Sequence, residues 1–174
     1  MLFRSEAIKE ISAEATLAIE ETRSIAYNLR PFQLDRLGLT KSIEALIRTV
    51  SKSSGIHIAS DLANVDELFP EELRINFYRI VQEALSNIMK HAEATEVNVH
   101  ILRTDTNVVL SIQDNGRGFT AAARTAQASH DGFGLTGIAE RATLLSGRLK
   151  VRSEPGSGTM MTVEIPLVGA DHAE

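Results

Sequence analysis

Asp114-Asn115-Gly116-Arg117-Gly118 and Gly132-Phe133-Gly134-Leu135-Thr136-Gly137 gather five of the eleven glycines of this 174-residue chain into two short clusters. Glycine lacks a Cβ, so its backbone turns with φ > 0 and brings N–H groups against phosphate oxygens that a side chain would shield. The first cluster follows a strand pattern, Val108, Leu110 and Ile112. The second leads into a helix pattern, Ile138, Ala142 and Leu145. A nucleotide held where strand ends meet a helix start accounts for both.

The flanking segments give the rest of the domain. Upstream, Val97, Val99 and Ile101 alternate, and Asp105-Thr106-Asn107 turns the chain into the Val108 strand. Downstream, Gly147 marks a left-handed helix cap, Leu149 and Val151 alternate with Arg148, Lys150 and Arg152, and Pro155-Gly156-Ser157-Gly158 turns into Met161, Val163 and Ile165 before Pro166. Before these come a helix through Leu39, Ile43, Leu46, Ile47 and Val50, closed by Gly55, and a short strand at Ile56-His57-Ile58. A third helix opens at Pro70, with Asp66 as its start signal, and runs to about Ala92. These elements predict an α+β domain, with helices on one face of a largely antiparallel sheet. His57 and His100 fall on outward strand positions.

At the other end, Ile8, Ile11, Ala15, Ala18, Thr22, Ile25 and Leu29 alternate spacings of three and four. A 3.5-residue repeat keeps one stripe facing a partner helix, so residues 5–30 read as one long bundle helix ended by Pro31. The predicted organisation is this helical segment over 1–33, the α+β domain over 34–168 and a tail over 169–174. A net charge of −5 argues against broad attraction to nucleic acid or an anionic membrane. No cysteine is present, which excludes disulfides and thiolate sites and suits the cytoplasm. The apolar runs are too short to span a bilayer.

The third helix carries chemistry as well as core. Leu73, Phe77, Ile80, Val81, Ala84, Leu85 and Ile88 share its buried face. With Glu83 at zero, Lys90 lies at about −20°, Asn87 at about 40° and His91 at about 80° around the helix, so the four form a polar stripe along the edge of that face. Oxygen ligands from Asn and Glu suit Mg²⁺, and Lys and His can donate to phosphate. Asp114, at a strand end, is placed to accept a hydrogen bond from an adenine amino group; the bland reading is a turn aspartate. The second glycine cluster also matches the dinucleotide fingerprint Gly-x-Gly-x-x-Gly, but no strand precedes it and residues 121–131 are small and polar.

In order, Glu83-x-x-x-Asn87-x-x-x-His91, Asp114-x-Gly116-x-Gly118, Gly132-x-Gly134-Leu135-x-Gly137 and Gly156-x-Gly158-Thr159 resemble the ATP-binding domain shared by gyrase, Hsp90, histidine kinases and MutL. Leu29-Arg30-Pro31, Leu37-Gly38-Leu39 and the run from Gly137-Ile138-Ala139-Glu140-Arg141 to Ser146-Gly147 look like two-component sensor kinases of the nitrate-sensor and DesK-like subfamily. The resemblance implies a two-layer α/β sandwich that holds ATP between the third helix and a lid spanning about residues 120–131. It implies that Asn87 holds Mg²⁺, Asp114 reads adenine, Lys90 and His91 lie near the phosphates, Thr159 supports Asp114 or a water, and Gly116, Gly118, Gly132, Gly134, Leu135 and Gly137 shape the pocket and lid. Glu83 would position water in hydrolysing relatives; in the kinases the base lies near the phosphoacceptor.

The family carries its phosphoacceptor histidine, followed by an acidic residue, on a bundle helix ahead of the one matched here. None of the five histidines fits: His130-Asp131 has the letters but sits in the predicted lid, and His172 belongs to the tail. The expectation is a kinase domain that binds ATP and Mg²⁺ and passes the γ-phosphate to a histidine absent from this sequence, for relay to a response regulator. The parent would be a homodimer, itself open to membrane anchoring. The competing readings are an ATP hydrolase or an anti-sigma-type serine kinase on the same fold, and a non-catalytic dimerisation module.

Overall fold

The computed structural model describes residues 32–120 and 133–167. The chain divides into two compact units, Met1–Arg36 and Leu37–Glu174. The predicted long helix, its heptad seam, residues 121–132 with His130 and Gly132, and the tail lie outside the described residues.

The described elements are α1 (Phe32–Leu37), α2 (Leu39–Ser54), β1 (His57–Leu62), α3 (Glu71–Asn87), a π-helical turn (Ile88–Ala92), β2 (Glu96–Arg103), β3 (Asn107–Asp114), α4 (Phe133–Leu144), β4 (Arg148–Ser153) and β5 (Thr159–Pro166). The five strands form one sheet in the order β1-β2-β3-β5-β4. β1 runs parallel to β2 and every other pair is antiparallel.

Alternation along β2, β3 and β5 buries Val97, Val99 and Ile101, then Val108, Leu110 and Ile112, then Met161, Val163 and Ile165 on one face. Against that face lie Phe77, Ile80, Val81 and Leu85 of α3, Ile138 and Ala142 of α4, and Leu39, Ile43 and Ile47 of α2. The result is the two-layer α+β sandwich expected from the sequence. Each of the Val, Leu, Ile, Met and Phe side chains among them contributes about 1.5–3 kcal/mol by leaving water. β1 is half-buried or exposed throughout, as expected for an edge strand, and His57 and His100 both point to solvent.

Local chemistry differs from expectation at four places. Asp66 does not start α3, whose N-cap is Pro70; its Oδ1 instead accepts a 2.8 Å hydrogen bond from the Thr40 N–H in the first turn of α2. The capping carboxylate thus comes from 26 residues away, because Gly38 at the N-cap has no side chain, and a Cβ there would lie 2.9 Å from that same oxygen. Gly147 is not the left-handed cap. Ser146 takes φ 58°, and Gly147 N–H bonds to Ala142 O at 2.8 Å while Ser146 N–H bonds to Thr143 O at 2.8 Å, which is a Schellman closure. Glycine is needed at 147 for proximity, since a Cβ would meet Glu164 O at 2.7 Å.

The hairpin turn is Thr104-Asp105-Thr106, closed by Thr104 N–H to Asn107 O at 2.8 Å, with Asn107 already in β3. The fourth difference is the end of α3. The α-helix stops at Asn87 and the chain widens into the π turn, so Lys90 and His91 do not follow the 100° step assumed for them.

Candidate functional site

Asp114 ends the central strand β3 and is buried, with 5% of its surface exposed. Its Oδ1 accepts a 2.8 Å hydrogen bond from the Gly116 N–H. Burial pushes its carboxyl above the usual aspartate value, while the N–H groups of Gly116 and Thr159 offset part of that rise. A carboxylate has acceptor capacity for more than these two N–H groups, and a donor such as an exocyclic amine can use it.

The first glycine cluster is explained by backbone packing. A Cβ on Gly116 would lie 2.2 Å from Ala92 O, and one on Gly118 (φ 60°) would lie 2.0 Å from Glu154 O. Gly158 (φ 74°) presses in the same way on Asp114 O, at 2.0 Å. The loop is stitched on both sides. Arg117 donates from its backbone N–H to Ala92 O at 2.8 Å and from Nε to His91 O at 2.7 Å, and its carbonyl accepts from Gly156 N–H at 2.7 Å. The π turn therefore presents to Arg117 the carbonyls that a regular helix end would leave to water.

Asn115 Oδ1 accepts from the N–H groups of Thr95 and Glu96 at 2.9 and 3.0 Å. The Thr159 hydroxyl pairs with Ser153 Oγ at 2.9 Å, and Ser153 Oγ also accepts from Phe119 N–H at 2.9 Å. Thr159 thus reaches Asp114 through its backbone while its side chain braces the loop through Ser153. Arg117 and Ser153 were not singled out from the sequence. The arginine inside Asn-Gly-Arg-Gly was the available signal for the first.

The second cluster meets the third helix directly. A Cβ on Gly134 would lie 2.8 Å from Glu83 Oε1 and 2.9 Å from both Asn87 Nδ2 and Asn87 Oδ1. Glycine at this position lets the first turn of α4 close onto the polar edge of α3. Glu83 and Asn87 are half-buried, and Lys90 and His91 are exposed on the π turn. Leu135 and Gly137 follow in the first turns of α4, both half-buried. One polar edge, from Glu83 to Ala92, is thus bounded by the Asp114 loop at one end and by the start of α4 along its side. A separate groove of about 370 Å³ lies between α2 and β1, lined in part by Arg48, Ser51, Lys52 and Ile58, and no candidate site residue borders it.

Comparison with known proteins gives the family and the fold. Residues 72–169 match the family described as histidine kinase-, DNA gyrase B- and HSP90-like ATPases, and the chain belongs to that family. Over 165 residues it is 36% identical to the signal transduction histidine-protein kinase/phosphatase DegS of Brevibacillus brevis, covering 93% of this chain and 42% of that protein. Over 159 residues it is 32% identical to the oxygen sensor histidine kinase NreB of Staphylococcus carnosus (strain TM300), covering 91% of this chain and 45% of that protein. The chain thus spans less than half the length of these relatives. Among solved structures, the histidine kinase domain of the Erythrobacter litoralis EL346 blue-light activated kinase shares the fold, with a TM-score of 0.64 at 20% identity over 75% of this chain and 61% of that one.

Proposed function

We propose that this chain binds ATP with Mg²⁺ and serves as the catalytic domain of a sensor histidine kinase, passing the γ-phosphate to a histidine outside this sequence for relay to a response regulator aspartate. The observation that carries the reading is the single polar edge of α3, against which both glycine clusters are seated. Asp114 would accept from the adenine amino group, and the first turn of α4 would offer N–H groups to phosphate. Lys90 and His91 would lie near the phosphates, and Thr159 would hold the base of the site through Ser153.

The donors present fit Mg²⁺. Asn87 and Glu83 offer oxygen ligands beside Gly134, and among the described residues no group of three His, Cys, Asp or Glu side chains converges to hold a metal. A set completed by phosphate and water oxygens suits an ion that dehydrates reluctantly. Bound there, the ion would neutralise phosphate charge. Asn87 would be its ligand, and Glu83 would orient water.

Residues 1–33 would form the second helix of a dimerisation bundle in the parent protein, with residues 34–168 as the ATP-binding domain. The test is to supply the acceptor helix of the parent kinase as a separate polypeptide with labelled ATP. The expected product is an acid-labile phosphohistidine on that helix and none on this chain. Steady ATP hydrolysis without phosphotransfer, or stable phosphate accumulating on this chain, would replace this reading with the hydrolase or serine-kinase alternative.

A further inference from the structure

Gly137 differs from the other glycines of its cluster. A Cβ added there would meet the Nη1 of Arg141 at 2.8 Å, with the guanidinium carbon at 3.9 Å and nothing else within 4 Å. Arg141 stands four residues on, so its side chain runs back along α4 toward the helix start and lies over the bare backbone of Gly137. Gly134 and Arg141 are seven residues apart and share one face of the helix. That face meets α3, because Gly134 abuts Glu83 Oε1. α4 then runs away from the Asp114 end, since Gly147, just past it, lies against Glu164 and Ile165 near the far end of β5.

The guanidinium is therefore directed back toward the turn of α4 that touches Glu83. Both side chains are half-buried, and among the described residues neither has a hydrogen-bond or ion-pair partner. Elsewhere among the described residues, the ion pairs Arg48–Glu44, Arg117–Glu93 and Lys150–Glu164 lie at the surface.

We infer that Arg141 is a positioning residue that acts through Glu83. Seated over Gly137, it supplies the positive charge that compensates the Glu83 carboxylate where a triphosphate must approach. Gly137 is glycine to make room for that guanidinium. Without Arg141, Glu83 faces the polyphosphate uncompensated and repels it. This inference rests on the proposed ATP site.

The test is a double-mutant cycle on the full chain, reading Mg·ATP affinity by calorimetry and thermal stability beside it. Arg141→Gln is expected to weaken Mg·ATP roughly three- to tenfold, and Glu83→Gln in the same chain to cancel that loss. Gly137→Ala is expected to raise the melting temperature, because alanine favours a helix interior and displaces only a flexible side-chain end, yet to weaken Mg·ATP as Arg141→Gln does. It is expected to add no further loss in the Arg141→Gln background. A loss from Arg141→Gln that persists unchanged in the Glu83→Gln background would mean direct contact with phosphate and overturn the inference. So would a Gly137→Ala chain that is stabilised and binds like wild type. Failure of the wild-type chain to bind Mg·ATP would remove the proposed site and this inference together, whereas wild-type binding with additive losses removes the inference alone.

Discussion

At Asp114 the proposed binding role and the effect on stability can be told apart. Burial raises its pKa, so the folded state holds the proton more tightly than the unfolded state. The sign follows: the contribution of Asp114 to stability is fully present below the ordinary aspartate range and is lost as pH rises through the raised value, where the buried carboxyl must ionise. Asp114→Asn keeps an oxygen for the Gly116 N–H and removes that ionisation. At neutral pH the variant should melt at or above the wild-type temperature, with the difference closing in acid. Its Mg·ATP affinity should nevertheless fall by about 1.5–3 kcal/mol, the scale of a hydrogen bond to a charged group. Calorimetric affinity and melting curves across pH check both parts, and a matched loss of stability would make Asp114 a structural aspartate. Asn87→Ala should weaken Mg·ATP much more than metal-free ATP; equal losses would remove Asn87 as a cation ligand.

The turn joining β4 to β5 offers a comparison at the scale of an element. Gly156 and Gly158 both have positive φ, 78° and 74°. A Cβ on Gly156 meets open space, whereas one on Gly158 meets Asp114 O at 2.0 Å. Gly156→Ala should cost about 1–2 kcal/mol, the left-handed strain alone. Gly158→Ala carries the same strain plus a backbone collision, so denaturant unfolding should find it destabilised by at least about twice as much. Equal costs would show that the loop beside Asp114 yields easily. Elements were also where the sequence was most and least readable. Alternating apolar residues in β2, β3 and β5 are local and gave the sheet directly, since one face of each strand is buried. The Asp66 cap depends on a contact 26 residues away, and the π turn leaves the apolar period through Ile88 intact, so neither has a local signature.

For the whole domain, the neighbourhood of the proposed site residues was legible, but not how their backbones pack. Glu83 and Asn87 stand on one edge of α3 with Gly134 against them, and Asp114 ends β3 beside the loop that meets Ala92. The role expected of the first glycine cluster was a phosphate cradle, yet Gly116 and Gly118 let backbones touch, a tertiary fact that no spacing encodes. If the edge binds nucleotide, ATP at one hundred times its dissociation constant should stabilise the domain by about 2.7 kcal/mol. The increment should shrink in Asp114→Asn at the same ATP concentration, a shift readable in melting temperature. No such stabilisation at saturating Mg·ATP would contradict the proposed function at its base.

The π turn fixes the length of the chain as well as its course. A π turn holds an extra residue relative to an α turn, so deleting one residue between Ile88 and Ala92 would leave a shorter and more regular helix. That helix would be the better one in isolation. In the domain it would draw the His91 and Ala92 carbonyls away from Arg117. Single-residue deletion there should therefore be tolerated by the helix and refused by the loop that carries Asp114, which makes the irregularity a register mark tying two distant segments of chain to a common count.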